Sequence, residues 1–463
     1  MTVGLLHRGY CTGLLHRSYC TGATAPGLLH RATAPEHFKE HQSMSRQRYQ
    51  CDVLIVGAGP AGLAAAYRVS QSGRQVTVVD DNPDLGGQVW RGGQKKAPSA
   101  EASAWFEKIR NAKIEFINGA RVYDQPERGT LLAELNNDIS ELKYQALILA
   151  TGARERFLPF PGWTLPNVMG AGGLQSFVKT GLPIEGKKIV VAGSGPLLLA
   201  VAEYLNRSGA EILLIAEQAS RARLARFGFG LLGQTGKVSQ ALNLKRQLSG
   251  VKYLTGCWPV AASGRGNAKL ETVTMRRGTR TWEVDCDYLA CGFHLVPNLE
   301  LAQLIGCEMA DGVVRTDEFQ QTSVPTVYSA GEATGVGGLE MSLVEGEIAG
   351  LAAAKQETRA RELFSFRDKQ RRFARALNRA FELRAELKGL VTSETIVCRC
   401  EDVNFDRLMA SDSWRAAKLH TRCGMGPCQG RICGAAVEFL LGWKAESVRP
   451  PVFPVRVGSM LGE

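Results

Sequence analysis

Two groups of residues in this chain have types and spacings that do chemistry. The first is a set of thiols: Cys398 and Cys400 in IVCRCEDV, then Cys423, Cys428 and Cys433 in TRCGMGPCQGRICG. Two thiolates one residue apart, joined by a second pair on a glycine-rich turn, can wrap a compact iron–sulfur cluster. Zinc is the rival because it also takes four thiolates, but structural zinc favours CxxC knuckles over CxC. The second group is the glycines of DVLIVGAGPAGLAAA, Asp52 to Ala66. A buried strand runs into Gly57, Gly59, Pro60, Ala61 and Gly62 and then into small helix formers. Gly57 allows the turn, Gly59 the approach of a pyrophosphate, and Gly62 close packing of helix on strand, with the phosphates at the helix's positive end. An acid about twenty residues on completes the pattern, and Asp80 stands there to hold a ribose hydroxyl.

These groups need elements to position them. After Asp80, DNPDLGGQVWRGG brings Gly86 and Gly87, which let the chain run under a cofactor, and Gln88, which can hydrogen-bond to it. YQALILATG is a buried strand ending in Thr151 and Gly152, the pattern of a strand closing over a flavin nucleotide. VPTVYSAGEATGVGG ends another strand in Gly331 and Glu332, whose carboxylate can accept hydrogen bonds from the sugar-like chain of FAD. Between them KKIVVAGSGPLLLAVAEYLNRSGAEILLIAE repeats the strand, turn and helix with Gly193 and Gly195. Leu198 takes the third glycine's place, and Ala216 the acid's, with Glu217 one beyond. Bulk at Leu198 narrows the phosphate seat, so this domain reads as a degenerate nicotinamide-binding fold with NAD(P) binding doubtful. Arg221 and Arg223 are candidates for a 2′-phosphate or are merely solvated.

The composition sets outer bounds. At 463 residues and net charge +11, the chain suits two or three domains. Its Lys and Arg are spread out with no aromatic-rich basic motif, which argues against nucleic acid and for a solvated surface or an acidic partner. No apolar run reaches the roughly eighteen residues of a membrane span, and no secretory segment begins the chain; a cytoplasmic protein is expected. Past residue 44 the histidines are His294 and His420, too few for a His-activated nucleophile. The N-terminal repeats GLLHRGYCT, GLLHRSYCT and GLLHRATAP bury no core and read as a disordered leader over 1–48, with Met44 an alternative start and a mitochondrial transit peptide a second reading. From Gln356 to Leu390, Leu363, Phe366, Phe373, Leu377, Phe381 and Leu387 form an apolar helical stripe with a basic opposite face, expected to link two domains.

From Cys51 to about Lys355 these motifs resemble the two-dinucleotide-domain flavoprotein superfamily that includes thioredoxin and glutathione reductases. The chain lacks that group's redox CxxC; Cys286 and Cys291 bracket a strand and read as core. From about Thr395 to Phe439, with GMGxCQGRxC as hallmark, it resembles the bacterioferritin-associated-ferredoxin-like two-iron, two-sulfur domain. That resemblance implies Cys398, Cys400, Cys428 and Cys433 as ligands, since the place of Cys423 is often not cysteine; five cysteines compete for four positions. Together, with AGEATGVGG and CGFHLVPNLELA, the chain is similar to the alpha (B-type) subunits of hydrogen cyanide synthase, opine oxidase and D-hydroxyproline dehydrogenase. The implied fold is α/β: two Rossmann-like domains, FAD-binding (49–155 and 286–355) and degenerate NAD(P)-binding-like (156–285), a linker helix (356–390), and a small helical 2Fe-2S domain with its tail (391–463). The implied role is to carry electrons through FAD and cluster from a catalytic, amino-acid-oxidase-like beta subunit, with a small ferredoxin-like subunit and a peripheral respiratory acceptor as further partners. A self-contained NAD(P)H-dependent reductase and a non-catalytic FAD/zinc scaffold are the alternatives.

Overall fold

The structure, a computed structural model, describes residues 47–93, 99–230, 236, 243–244, 246–445 and 447–461. The repeated leader thus lies outside the described residues, except that Gln47 and Arg48, expected to belong to it, already form the start of the first strand, Gln47–Val56, and face Ser140 and Glu141. This strand is the axis of a seven-stranded sheet. Val76–Asp80 pairs parallel on one side and Asp138–Leu149 on the other, and Val327–Ser329 returns late in the chain to lie beside Leu147–Leu149. A continuous apolar run suits a strand covered on both faces, and Val53, Leu54 and Ile55 are buried to within 1%.

Helix Pro60–Ser70 packs on this sheet, and helix Leu339–Ala353 packs on that helix. Their backbones nearly touch: a Cβ on Gly346 would stand 2.1 Å from the Ala61 carbonyl oxygen, and one on Gly350 2.5 Å from that of Ala65.

The second sheet is five parallel strands in the order Tyr253–Thr255, Glu211–Glu217, Lys188–Ser194, Tyr288–Phe293, Val168–Gly170. Tyr288–Phe293 pairs with Lys188–Ser194, so the expected return to the first domain at 286 is corrected. The crossing is the antiparallel ribbon of Ala153–Glu155 with Leu295–Pro297. The DYLAC strand bears its hydrophobic side chains on the second core, where Cys286 and Cys291 are buried as expected.

The expected linker helix over 356–390 is three pieces: Glu357–Arg361, Phe364–Ala380, and a 3-10 turn at Ala385–Leu390. The break turns Phe366 outward, whereas Phe381 and Leu387 are buried. The long helix touches both domains. Leu377 and Phe381 pack with Phe227 of the second, and Arg371 donates to the fully buried Glu345 of the first at 2.9 and 3.1 Å. The other Glu345 oxygen accepts from Gly331 N (3.2 Å) and Thr334 Oγ1 (2.7 Å). Short helices dominate the C-terminal part, among them Trp414–Thr421 and Cys433–Leu441. Among the described residues no helix is long and apolar enough to cross a membrane.

Removing one partner of a buried ion pair strands the other charge. Arg371→Met is expected to lower unfolding free energy by roughly 3 kcal/mol, with the double variant Glu345→Gln/Arg371→Met recovering part of it; urea denaturation of the three proteins checks this order.

Candidate functional site

The first glycine turn is built by contact. Gly57 has φ 109°, and a Cβ there would stand 2.2 Å from the Ala150 carbonyl oxygen; one on Gly62 would stand 1.8 Å from that of Gly57. Pro60 opens the helix, where its missing N–H costs nothing. Gly87 lies against Gly59, leaving 2.9 Å between a Cβ on Gly87 and the Gly59 Cα. The carboxylate of Asp80 accepts from Ala58 N at 2.5 Å and from the backbone and side chain of Asn82 at 2.7 Å. It holds the turn and the following loop together.

A cavity of about 430 Å³ opens beside this turn, within the size range of small-molecule sites. All the cofactor residues expected from sequence line it except Gly62, Gly86 and Gly331. Gly62 serves helix–strand packing, and Gly331 has φ 77° with its N–H on Glu345. Thr151 Oγ1 donates to the Asn298 carbonyl (2.7 Å), and Asn298 Nδ2 to that of Thr151 (2.9 Å). Gln88 Oε1 accepts from Arg91 at 3.0 Å, whose Nε is buried without a partner. Burial raises the Glu332 carboxyl to about 7. The lining also holds residues that sequence reasoning missed: Arg121, Arg154, Asn298, Glu300, Arg431 and Phe453. Arg431, Asn298 and Glu300 stood inside recognised motifs; the others carried no local signal.

The second glycine turn differs. A register shift between Ile212 and Leu214 adds a residue to its acid-bearing strand, so Glu217, not Ala216, faces Gly193 and occupies the place corresponding to Asp80. Glu217 accepts from Gly195 N and Ala219 N, each at 2.8 Å. Whereas Asp80 lines a cavity, Glu217 is 1% exposed, and burial lifts it to about 7. The chain's own segment covers this turn: Ser194 Oγ donates to the Phe381 carbonyl (2.8 Å), and Gln218 Nε2 donates to Ser194 Oγ (2.9 Å) and the Glu382 carbonyl (3.2 Å). Arg223 is spent on the Glu382 carbonyl as well (2.9 Å).

The sulfur atoms of Cys398, Cys423 and Cys433 lie within 4.8 Å of one another, all three residues buried. Cys423, left outside the expected ligand set, is in this trio, while Cys400 is exposed and Cys428 half-buried. Hydrogen bonds from the Cys423 and Cys433 thiols hold Cys398 far below a thiol's usual range, and one from Cys433 lowers Cys428 to about 5, while the bonds to Cys398 push Cys423 and Cys433 upward. The loop carrying these thiols is anchored on the nucleotide domains. Arg154 Nε donates to the Arg431 carbonyl (3.1 Å), both arginines face Glu300 (3.1 and 3.8 Å), and Trp163 Nε1 donates to the Ile396 carbonyl (2.5 Å).

Residues 51–357 match the family model of the pyridine nucleotide-disulphide oxidoreductases. The chain belongs to that family. It is an FAD-dependent oxidoreductase of the two-domain reductase fold. Among the family's relatives, the HcnB subunit of hydrogen cyanide synthase from Pseudomonas aeruginosa is 31% identical over 82% of this chain and 90% of its own length. The opine oxidase A-subunit of Agrobacterium tumefaciens is 30% identical over 88% and 91%. The solved L-proline dehydrogenase of P. horikoshii shares the fold at 19% identity and TM-score 0.63, covering 90% of this chain and 80% of that one. Despite the family's name, the cysteines of the nucleotide domains here, Cys51, Cys257, Cys286, Cys291 and Cys307, are buried and free.

Because Glu332 titrates near 7 rather than its usual 4.5, the ligand-free fold loses stability as pH rises from about 4.5 toward 7. Hydroxyls of a bound cofactor donating to the ionised carboxylate would reverse that preference. FAD affinity is expected to rise with pH through about 7 and then level, and Glu332→Gln to flatten the profile; equilibrium titration from acid to mildly basic pH measures both.

Proposed function

We propose that this protein is the electron-transferring flavin and iron–sulfur subunit of a heteromeric amino-acid or amine dehydrogenase. The observation that carries the reading is Arg431: it stands between Cys428 and Cys433 in the thiol loop and also lines the cofactor cavity. One residue thus links the thiol loop to the cofactor cavity.

In this reading Gly57, Gly59, Pro60 and Ala61 seat the FAD pyrophosphate, Asp80 holds the adenosine ribose, and Glu332 the sugar-like chain. Gly87, Gln88, Thr151 and Gly152 line the remainder, and Gly62 and Gly331 support the packing behind. Their fit rests on the cradle at Gly59 and Gly87, which side chains would fill. Cys398 and Cys433, with two of Cys400, Cys423 and Cys428, hold a 2Fe-2S cluster; the buried trio favours Cys423 as a member. Bound FAD supplies a carrier that accepts two electrons and releases them singly. The protein's own residues fix that carrier, set the charge around it and keep the thiol loop against it. The relatives' names point the same way: one subunit of a synthase, one of an oxidase, and sarcosine oxidase subunit alpha of Corynebacterium, 24% identical over 71% of this chain and 34% of its own length.

The covered second glycine turn speaks against the reductase alternative, because Phe381 and Glu382 lie where a nicotinamide dinucleotide would approach Ser194 and Gln218. The expected outcome is that neither NADH nor NADPH bleaches the flavin anaerobically, that dithionite does, and that iron and labile sulfide are found in equal amounts. Prompt bleaching by a nicotinamide would overturn the reading in favour of a reductase; zinc without sulfide would favour the scaffold.

A further inference from the structure

The thiol-bearing region and its tail do more than dock. After helix Cys433–Leu441 the chain runs back to the first domain, where Val452 N donates to the Tyr123 carbonyl at 2.9 Å and Val452 is buried. Arg431 Nη2 donates to the Val452 carbonyl at 2.6 Å, so the thiol loop clasps this tail. The next residue, Phe453, stacks its ring against the Arg431 guanidinium at 4.0 Å, with that of Arg121 at 5.8 Å. All three side chains line the cavity that Asp80 and the glycine turn line. Arg121 also reaches Asp81, beside Asp80, at 3.7 Å, which puts Phe453 at the ribose-holding end.

We propose that Phe453 and Arg431 form the closing wall of the dinucleotide site, Phe453 covering the adenosine end and Arg431 facing the pyrophosphate, so that metal held by the thiol loop and FAD held by the first domain stabilise one another. The inference rests on reading the cavity as the FAD site. An aromatic ring against an adenine excludes water and stacks. A guanidinium facing phosphate oxygens compensates their charge, which a helix N-terminus alone offsets only in part. Within the loop Arg431 Nη1 donates to the Cys428 carbonyl at 3.3 Å, while its own carbonyl accepts from Arg154 Nε of the nucleotide domains at 3.1 Å. Its reach into the cavity therefore follows the fold of the thiol loop, and linkage makes the dependence reciprocal.

The test uses the full-length chain carrying its metal, stripped of FAD, and titrated with FAD by fluorescence while bound metal is counted. Phe453→Ala, whose site lies outside the thiol loop, is expected to weaken FAD about ten-fold or more at unchanged metal content, with Phe453→Trp retaining affinity. Arg431→Gln is expected to weaken it comparably, and chelation of the metal from the wild-type chain likewise. Phe453→Ala and Arg431→Gln both within about two-fold of wild type, on a chain that binds FAD, overturn the closing wall alone. FAD affinity indifferent to metal removal overturns the coupling. A wild-type chain that takes up no FAD overturns the reading of the cavity, and this inference with it.

Discussion

The cofactor cavity depends on the close approach of three backbones around helix Pro60–Ser70. On one side Gly62 rests on the Gly57 carbonyl, and on the other Gly346 and Gly350 rest on those of Ala61 and Ala65. A methyl group at any of these glycines would meet a main-chain oxygen, which cannot swing aside as a side chain does. The helix is thereby held with its N-terminus at the glycine turn, where its unpaired N–H groups offer a seat for an anion. The Glu345–Arg371 pair extends the same constraint outward, tying helix Leu339–Ala353, the Gly331–Thr334 turn and the long helix into one unit.

The two nucleotide domains show what the same local design yields in different surroundings. Each has a glycine turn, a helix and a carboxylate accepting from the turn's N–H groups. In the first, Asp80 faces a cavity; in the second, Glu217 is sealed and the turn lies beneath Phe381 and Glu382. The difference lies in what the linker does after its long helix, not in the glycine motif itself. Leu198, which the motif singled out as the defect, is simply a buried helix residue in the second domain's core.

Much of the cavity was legible because its makers are local. A buried strand running into glycines, an acid at the end of the next strand, and ATG and GE closing later strands each follow from backbone constraints within a few residues. What was not legible depends on distance or register. Arg121, Arg154 and Phe453 reach the cavity from segments far apart in sequence. Glu217 was displaced by a bulge that no composition announces. Phe366 fits a helical stripe on paper, but the helix breaks near Leu363 and turns it to solvent. Cys423 could be weighed against Cys433 by motif alone, whereas burial puts both beside Cys398.

The proposed electron transfer requires that the two sites be held close, and the contacts of Arg154, Glu300, Arg431 and Trp163 hold the thiol loop on the nucleotide domains. The most direct measurement is anaerobic photoreduction of the flavin in the purified full-length chain, following the absorbance of flavin and thiol-bound metal together in time. The expected result is reduction of the metal centre within the same molecule, at a rate independent of protein concentration. A reduced flavin that persists beside an oxidised metal centre would contradict the account.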